Sequence, residues 1–208
     1  MLFGRVYLHA PYYINLCRPR NKRSQDEGEK GSWTLNRLID EIELAKKMGF
    51  LGVVVHSGKA VGMKRKKALR IMIKSLRKVI SHATPECPLL LETPAGQGNE
   101  LCFKRDRFRD LCYEIIGSIP EPMAFGICID TCHVFAAGYD PFAYMADIAD
   151  QVGLGMIRLI HLNGSMIEKG SRVDRHYSVS AGAGYIPMEN INSVMCLSQN
   201  SGIPMVVE

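Results

Sequence analysis

Six short apolar runs are spaced along this chain, and each one ends on a histidine or an acid. They are RVYLH (5–9), LGVVVH (51–56), PLLLE (88–92), FGICID (125–130), IRLIH (157–161) and IPMVVE (203–208). Runs this short, bounded by turn residues, read as buried strands. Between them lie LNRLIDEIELAKKMG, KAVGMKRKKALRIMIKSLRK, FKRDRFRDLCYEIIG, PFAYMADIADQVG and PMENINSVMCLSQN, whose apolar residues recur at helical spacing. Gly49, Gly117 and Gly153 stand where helix C-caps are expected. Strand and helix in alternation predict an α/β chain with a parallel sheet and right-handed crossovers. Parallel strands finish at one edge, so His9, His56, Glu92, Asp130, His161 and Glu208 are expected to converge there.

All six residues can ligate a metal, and none otherwise suits a buried strand. A single strand-end histidine or aspartate is usually a hydrogen-bonded loop residue, but six strands ending alike point to a shared cation site. His133 follows Asp130 on the first turn beyond its strand. Asp174 and His176, in VDRH, come from a long loop, and their spacing in an extended segment turns both toward His133. The constellation holds nine donors: five of the six histidines, all but the helix-tail His82, and four carboxylates. Imidazole and carboxylate without thiolate favour Zn2+ or Mn2+. Cys128 and Cys132 flank Asp130 but are read as packing residues, having no partner at ligand spacing. Nine donors exceed the needs of one ion. With a bridging carboxylate they serve two or three, and clustered metals suit phosphoryl-ester hydrolysis.

With 208 residues, residues 1–208 are expected to form one domain with a substantial core. No apolar run reaches membrane-spanning length, and MLFGRVYLHAPYY lacks the basic and apolar regions of a secretion signal. Seven cysteines without CxxC pairs fit a reducing compartment. The expectation is an intracellular protein, cytoplasmic or nuclear, not secreted, and monomeric. Net charge is a mild +5, yet residues 59–78 hold nine Lys or Arg and no acid. Such a run is either a solvated helix face or a phosphate-contacting surface. Two loops are long: 17–33, polar and rich in Arg and Lys, and 162–187, Gly- and Ser-rich, unstructured on this reading.

LHAPYYINL, VVVHSG, LLETPAGQG, GICIDTCHVFAAGYD, LIHLNGS and GSRVDRH resemble, in order and spacing, the motifs of the endonuclease IV family across essentially the whole chain. The resemblance implies a parallel (β/α) TIM-type barrel and three Zn2+ per chain. One zinc falls to His9 and His56, a second to Asp130, His161 and Glu208, and a third to His133, Asp174 and His176, with Glu92 bridging the first two. It further implies a DNA-repair endonuclease that cuts the phosphodiester 5′ to abasic sites in double-stranded DNA, leaving a 3′-hydroxyl and a 5′-deoxyribose phosphate. Glu92 and Glu208 are the carboxylates expected in catalysis. Tyr12 and Tyr13 occupy the loop where the family inserts side chains beside the lesion. Lys59, Lys64 and Arg65, near the metal-bearing edge, and Arg172 and Arg175, just before and within VDRH, are the expected DNA contacts, whereas Arg70 to Lys78 is expected to be solvated. Gln97, Asn99 and Asn15 are expected to brace loops.

The sequence also departs from the family. HLNG stands where HLND is usual, so Gly164 replaces a carboxylate, and the turn between DRH and GAGYI is longer. A barrel has eight βα units, of which about six are legible here, so an incomplete barrel is expected. Two other functions share these residues: a divalent-metal sugar isomerase or epimerase, and a DNA-damage-binding fragment without catalysis.

Overall fold

The computed structural model describes residues 5–17 and 33–208. Its elements run β1 (Leu8–His9), α1 (Trp33–Met48), β2 (Val53–His56), α2 (Arg65–Ile80), β3 (Leu89–Glu92), α3 (Arg105–Ile116), β4 (Phe125–Asp130), α4 (Thr131–Ala136), α5 (Pro141–Ile148), β5 (Ile157–His161), β6 (Gly164–Ser165), β7 (His176–Tyr177), α6 (Met188–Ser201) and β8 (Met205–Val206). Six strands form one parallel sheet in the order β1-β2-β3-β4-β5-β8, which curls as an arc of a TIM barrel with β1 and β8 at its edges. The expected loop 17–33, with its phosphate contacts, lies outside the described residues from 18 to 32.

Period-two alternation divides the core in two. Val53, Val55, Leu89, Leu91, Phe125, Ile127 and Ile129 point outward and pack under the helices. Their partners in α2 are the apolar residues of an amphipathic face: Ala68, Met72, Leu76 and Val79 are buried, while Arg70, Lys74, Arg77 and Lys78 are exposed. Each fully buried leucine on this interface contributes about 1.5–3 kcal/mol. The inward positions form a small second cluster, Val54, Leu90, Cys128 and Leu159 with Tyr7 against it. Two residues further along, the same inward parity sets His56, Glu92, Asp130, His161 and His9. The donors therefore form a polar layer directly above an apolar one.

One strand needs a correction to keep this phase. Along β4–β5 the register passes from Ile127↔Ile157 to Cys128↔Leu159, so Arg158 is an extra residue. Ile157 and Ile160 both face the helices, and Leu159 faces inward. A one-residue slip exchanges the faces of a strand. Here the bulge at Arg158 turns His161 inward, opposite Asp130.

Several local expectations change. Glu208 does not end a strand: β8 stops at Val206, two residues earlier. The basic segment becomes helical only at Arg65, leaving Lys59 to Lys64 in the preceding loop. Gly117 caps α3 in a right-handed conformation, φ −72°, which any residue adopts, whereas Gly49 and Gly202 take the left-handed one (φ 69° for each). The loop 162–187 contains an antiparallel ribbon, β6 with β7, and a short 3-10 turn over Val179–Ala181. A Cβ on Gly164 would strike the backbone of Ala183 within 2.7 Å, so the GAGYI segment fills the space a side chain there would need.

Candidate metal centre

The nine donors meet at the C-terminal edge of the sheet. Glu92 is 1% exposed and Asp130 fully buried; His133 and His161 are buried beside them. His9, His56, Asp174, His176 and Glu208 form a partly exposed rim. The five imidazoles follow one another closely, with ring centroids 5.0 Å apart for His9–His56, 5.8 Å for His9–His161 and for His56–His133, and 5.5 Å for His133–His176.

Glu92 divides its oxygens between two groups. Its Oε2 lies 3.3 Å from both His9 Nε2 and His56 Nδ1, and its Oε1 lies 2.9 Å from His161 Nδ1. The same His161 nitrogen is 3.4 Å from Glu208 Oε2 and 3.9 Å from Asp130 Oδ2. A third group forms around Asp174, whose Oδ2 is 3.2 Å from His133 Nε2 and whose Oδ1 is 3.2 Å from His176 Nε2. Three of the His and carboxylate sets, His9–His56–Glu92, His9–His161–Glu208 and His133–Asp174–His176, each bring one atom per residue within 4.8 Å of the others, the spread a single ion spans.

Backbone carbonyls set two of the imidazoles. A carbonyl can only accept, so His9 Nδ1–H donates to its neighbour Ala10 O (2.9 Å) and His133 Nδ1–H donates to Thr93 O (2.9 Å). Each ring then aims Nε2 into the cluster, and in its neutral form that nitrogen carries the lone pair, as in metal-ligating histidines. His176 Nε2 is buried between Asp174 Oδ1 (3.2 Å) and Asp130 Oδ2 (3.6 Å) but is not aligned with either as a hydrogen bond. A buried imidazole nitrogen set between two carboxylates out of hydrogen-bond alignment fits a cation shared with them.

The carboxylates are braced in turn. Asp130 caps α4, its Oδ1 accepting from His133 N–H at 2.7 Å, so His133 is carried on a helix and not on a loop. Asp130 Oδ2 accepts from Asn163 Nδ2 (2.7 Å). The same amide reaches Glu208 Oε2 at 3.3 Å, and Asn163 Oδ1 accepts from Glu208 N–H at 3.1 Å. Asn163 thereby draws Glu208 toward His161 although the strand has ended. Thr131 Oγ1 donates to the Asn163 carbonyl (2.6 Å), and Thr93 Oγ1 accepts from Asp130 N–H (3.0 Å). None of these three was singled out in the sequence; their signal is adjacency to donor residues in HLN, ETP and IDT.

The electrostatics follow from crowding. Burial acts to raise the Glu92 carboxyl, but hydrogen bonds to His161 and His9, with His133 and His56 nearby, hold it well below the usual carboxylate range. Burial opposes charge on His133, yet Asp130, Asp174 and Glu92 outweigh it and push the imidazole well above its ordinary value. His56 goes the other way: burial, aided by His133 and His9, lowers it against the pull of Glu92. Glu92 and His133 thus favour each other's charged form, while His56 is pushed toward the neutral form in which an imidazole ligates a metal.

The two flanking cysteines are nearer than expected. Cys128 Sγ falls within 4.8 Å of donor atoms of Glu92 and His161, and Cys132 Sγ within the same spread of Asp130 and His176. Burial pushes the Cys132 thiol up to about 12, with Asp130 adding to the shift, so it is protonated near neutral pH.

The remaining candidates line the rim. Tyr12 is 89% exposed, and Tyr13 stacks on Trp33 with ring centroids 5.5 Å apart. Asn15 ties their loop to Lys59, its Oδ1 accepting from Lys59 N–H and its Nδ2 donating to Lys59 O, both at 3.0 Å. Lys59 Nζ sits 3.3 Å from Glu100, and Arg65 Nη2 donates to the Glu100 carbonyl at 2.7 Å. Lys64 and Arg175 are exposed. Arg172 is engaged within the protein: Nε donates to Gly96 O (2.8 Å) and Nη2 to Gly98 O (3.2 Å).

Residues 4–208 match the family of xylose isomerase-like TIM barrels. The chain is 32% identical to a probable endonuclease 4 of Symbiobacterium thermophilum, over 96% of this chain and 69% of the relative. It superposes on the crystal structure of endonuclease IV from Thermus thermophilus with a TM-score of 0.73 at 27% identity, covering 98% of this chain and 68% of that one. A D-tagatose 3-epimerase-like protein superposes as well, with a TM-score of 0.74, but at 19% identity it shares the fold alone.

Proposed function

Because the chain belongs to the endonuclease 4 family of xylose isomerase-like TIM barrels, we propose that it is a zinc-dependent hydrolase of double-stranded DNA, cutting the phosphodiester 5′ to abasic sites. The observation that carries this reading is the division of Glu92 between two donor groups with a third set, His133–Asp174–His176, beside them. In this reading His9 and His56 hold one ion, Asp130, His161 and Glu208 a second, Glu92 links the two, and the outlying set holds a third. Bound there, zinc would lower the pKa of a water toward neutrality and offset charge on the phosphate and the departing oxygen.

The chain's own residues do the rest. The carbonyls of Ala10 and Thr93 keep His9 and His133 in the ligating tautomer. Asn163 orients Asp130 and Glu208. The partly exposed rim admits a polymer: exposed Lys64 and Arg175 meet phosphates, and Tyr12, almost wholly exposed, stacks on a base or fills the gap at a missing one.

The test is nicking of a duplex carrying one abasic site, before and after chelation. The expected result is scission that is lost on chelation and restored by Zn2+. Scission unaffected by complete metal removal overturns the proposal.

A further inference from the structure

We infer that Arg172 is a positioning residue that clamps the loop bearing Asp174 and His176 against His133; the inference rests on the three-ion reading. His176 is paired with Ser165 in the small β6–β7 ribbon, but Asp174 and the segment leading to it sit on neither a strand nor a helix and need another anchor. Arg172 supplies four attachments. Its backbone N–H donates to Ala136 O at 2.9 Å, on the helix that carries His133. Its guanidinium donates to Gly96 O and Gly98 O in the loop after β3. Its guanidinium carbon also lies over the Phe103 ring, 4.5 Å from the centroid, a cation–π contact.

The neighbours reinforce the same attachment. Gly170 N–H donates to Phe135 O at 3.1 Å, again on α4, and Asp174 N–H donates to Gln97 Oε1 at 3.2 Å, again in the loop after β3. The space is made to measure: a Cβ on Gly96 would meet the Phe103 ring at 2.8 Å and Arg172 Nε at 3.2 Å. Arg172 also holds φ at 56°, a left-handed conformation that a non-glycine residue keeps only where its surroundings impose it. A planar fork that reaches two carbonyls while stacking on a ring is a task for arginine and not for lysine.

The experiment compares zinc affinities, ion by ion, of the wild type, R172A, R172G and R172K by competition with a chromophoric chelator. R172G suits the left-handed backbone and isolates the side chain's part. Wild type should hold three ions. R172A and R172G should keep two unchanged and bind the third about 10–100-fold more weakly, as when a group supporting a ligand is lost, and R172K should recover part of the loss. Three unchanged affinities in R172A and R172G, with only DNA binding weakened, would make Arg172 a phosphate contact and overturn the inference. Fewer than three ions in the wild type instead defeats the three-ion reading itself. Should both variants fail to fold, Q97A removes one hydrogen bond from an exposed side chain; several-fold weaker binding of a single ion supports the clamp, and unchanged binding refutes it.

Discussion

The strand-borne donors and the loop-borne donors use the same chemistry on different supports. His56, Glu92, Asp130 and His161 inherit their positions from register: each sits two residues above an inward apolar residue of the same strand, and His9 stands likewise above Tyr7, which immediately precedes β1. Asp174 and His176 lie off the main sheet: hydrogen bonds from distant segments hold Asp174 and the residues before it, and the two-stranded β6–β7 ribbon holds His176. Burial cuts across this division: Glu92, Asp130 and His161 are enclosed, but strand-borne His9 and His56 are as open as Asp174 and His176. A site fixed by the sheet is part of the core's stability. A site fixed by a loop can be lost without unfolding the chain.

The sharpest way to break this comparison is E92Q. Glu92 is the buried hub of both strand-borne groups, and a neutral amide leaves His161 and His9 without their charge partner. Removing one member of a buried charged set costs about 3–5 kcal/mol, so urea melts of the metal-free variant should show a loss of that order. Zinc content should fall by two ions, and nicking roughly 10^3-fold, equivalent to about 4 kcal/mol in the barrier. A variant with full zinc content and unaltered melts would erase the distinction.

H176A probes the other support and should act more mildly. One ion is lost, nicking falls about 100-fold (about 2.7 kcal/mol), and metal-free stability stays within about 0.5 kcal/mol, as for a surface substitution. A sugar isomerase on this scaffold would be almost indifferent to the change, so retained activity on a sugar with retained metal would favour that reading.

The same division governs what could be read without coordinates. Strand ends were legible because parity and parallel topology act over every residue of a strand, and the donors stand out against an apolar background. The bulge at Arg158 left no such signal, since one extra residue in a five-residue strand does not disturb an apolar run. Two-residue strands such as β6 and β7, and a six-residue helix such as α4, are too short to show a period. Arg172 looks in sequence like any cation near a nuclease motif. Its carbonyl partners lie 76 and 74 residues away and carry no side-chain signature. Glu208 was legible as a candidate donor but not in its placement, which depends on Asn163 more than on its strand.

The smallest expected effect is a change in the sign of the pH dependence. In the metal-free chain His133 is raised by Asp130, Asp174 and Glu92 against burial, His9 and His161 by Glu92 against burial, and His176 chiefly by Asp174. A raised imidazole binds protons more tightly folded than unfolded, so its contribution is complete below about pH 6.5 and fades as pH climbs through the raised value. Glu92 and Asp174 are depressed, so their contribution is present above about pH 4.5 and fades as pH falls through the lowered values. His56, lowered by burial, opposes the other imidazoles but is one against four. In chelator, then, Tm should be greatest between about pH 4.5 and 6.5 and decline above it. With zinc bound the imidazoles must be neutral, loading releases protons, and Tm should rise with pH over the same upper range. H176A should flatten the decline in chelator only slightly, because His133 keeps Asp130, Glu92 and Asp174 around it. Parallel slopes in chelator and in zinc would mean that these imidazoles are not the groups the metal engages.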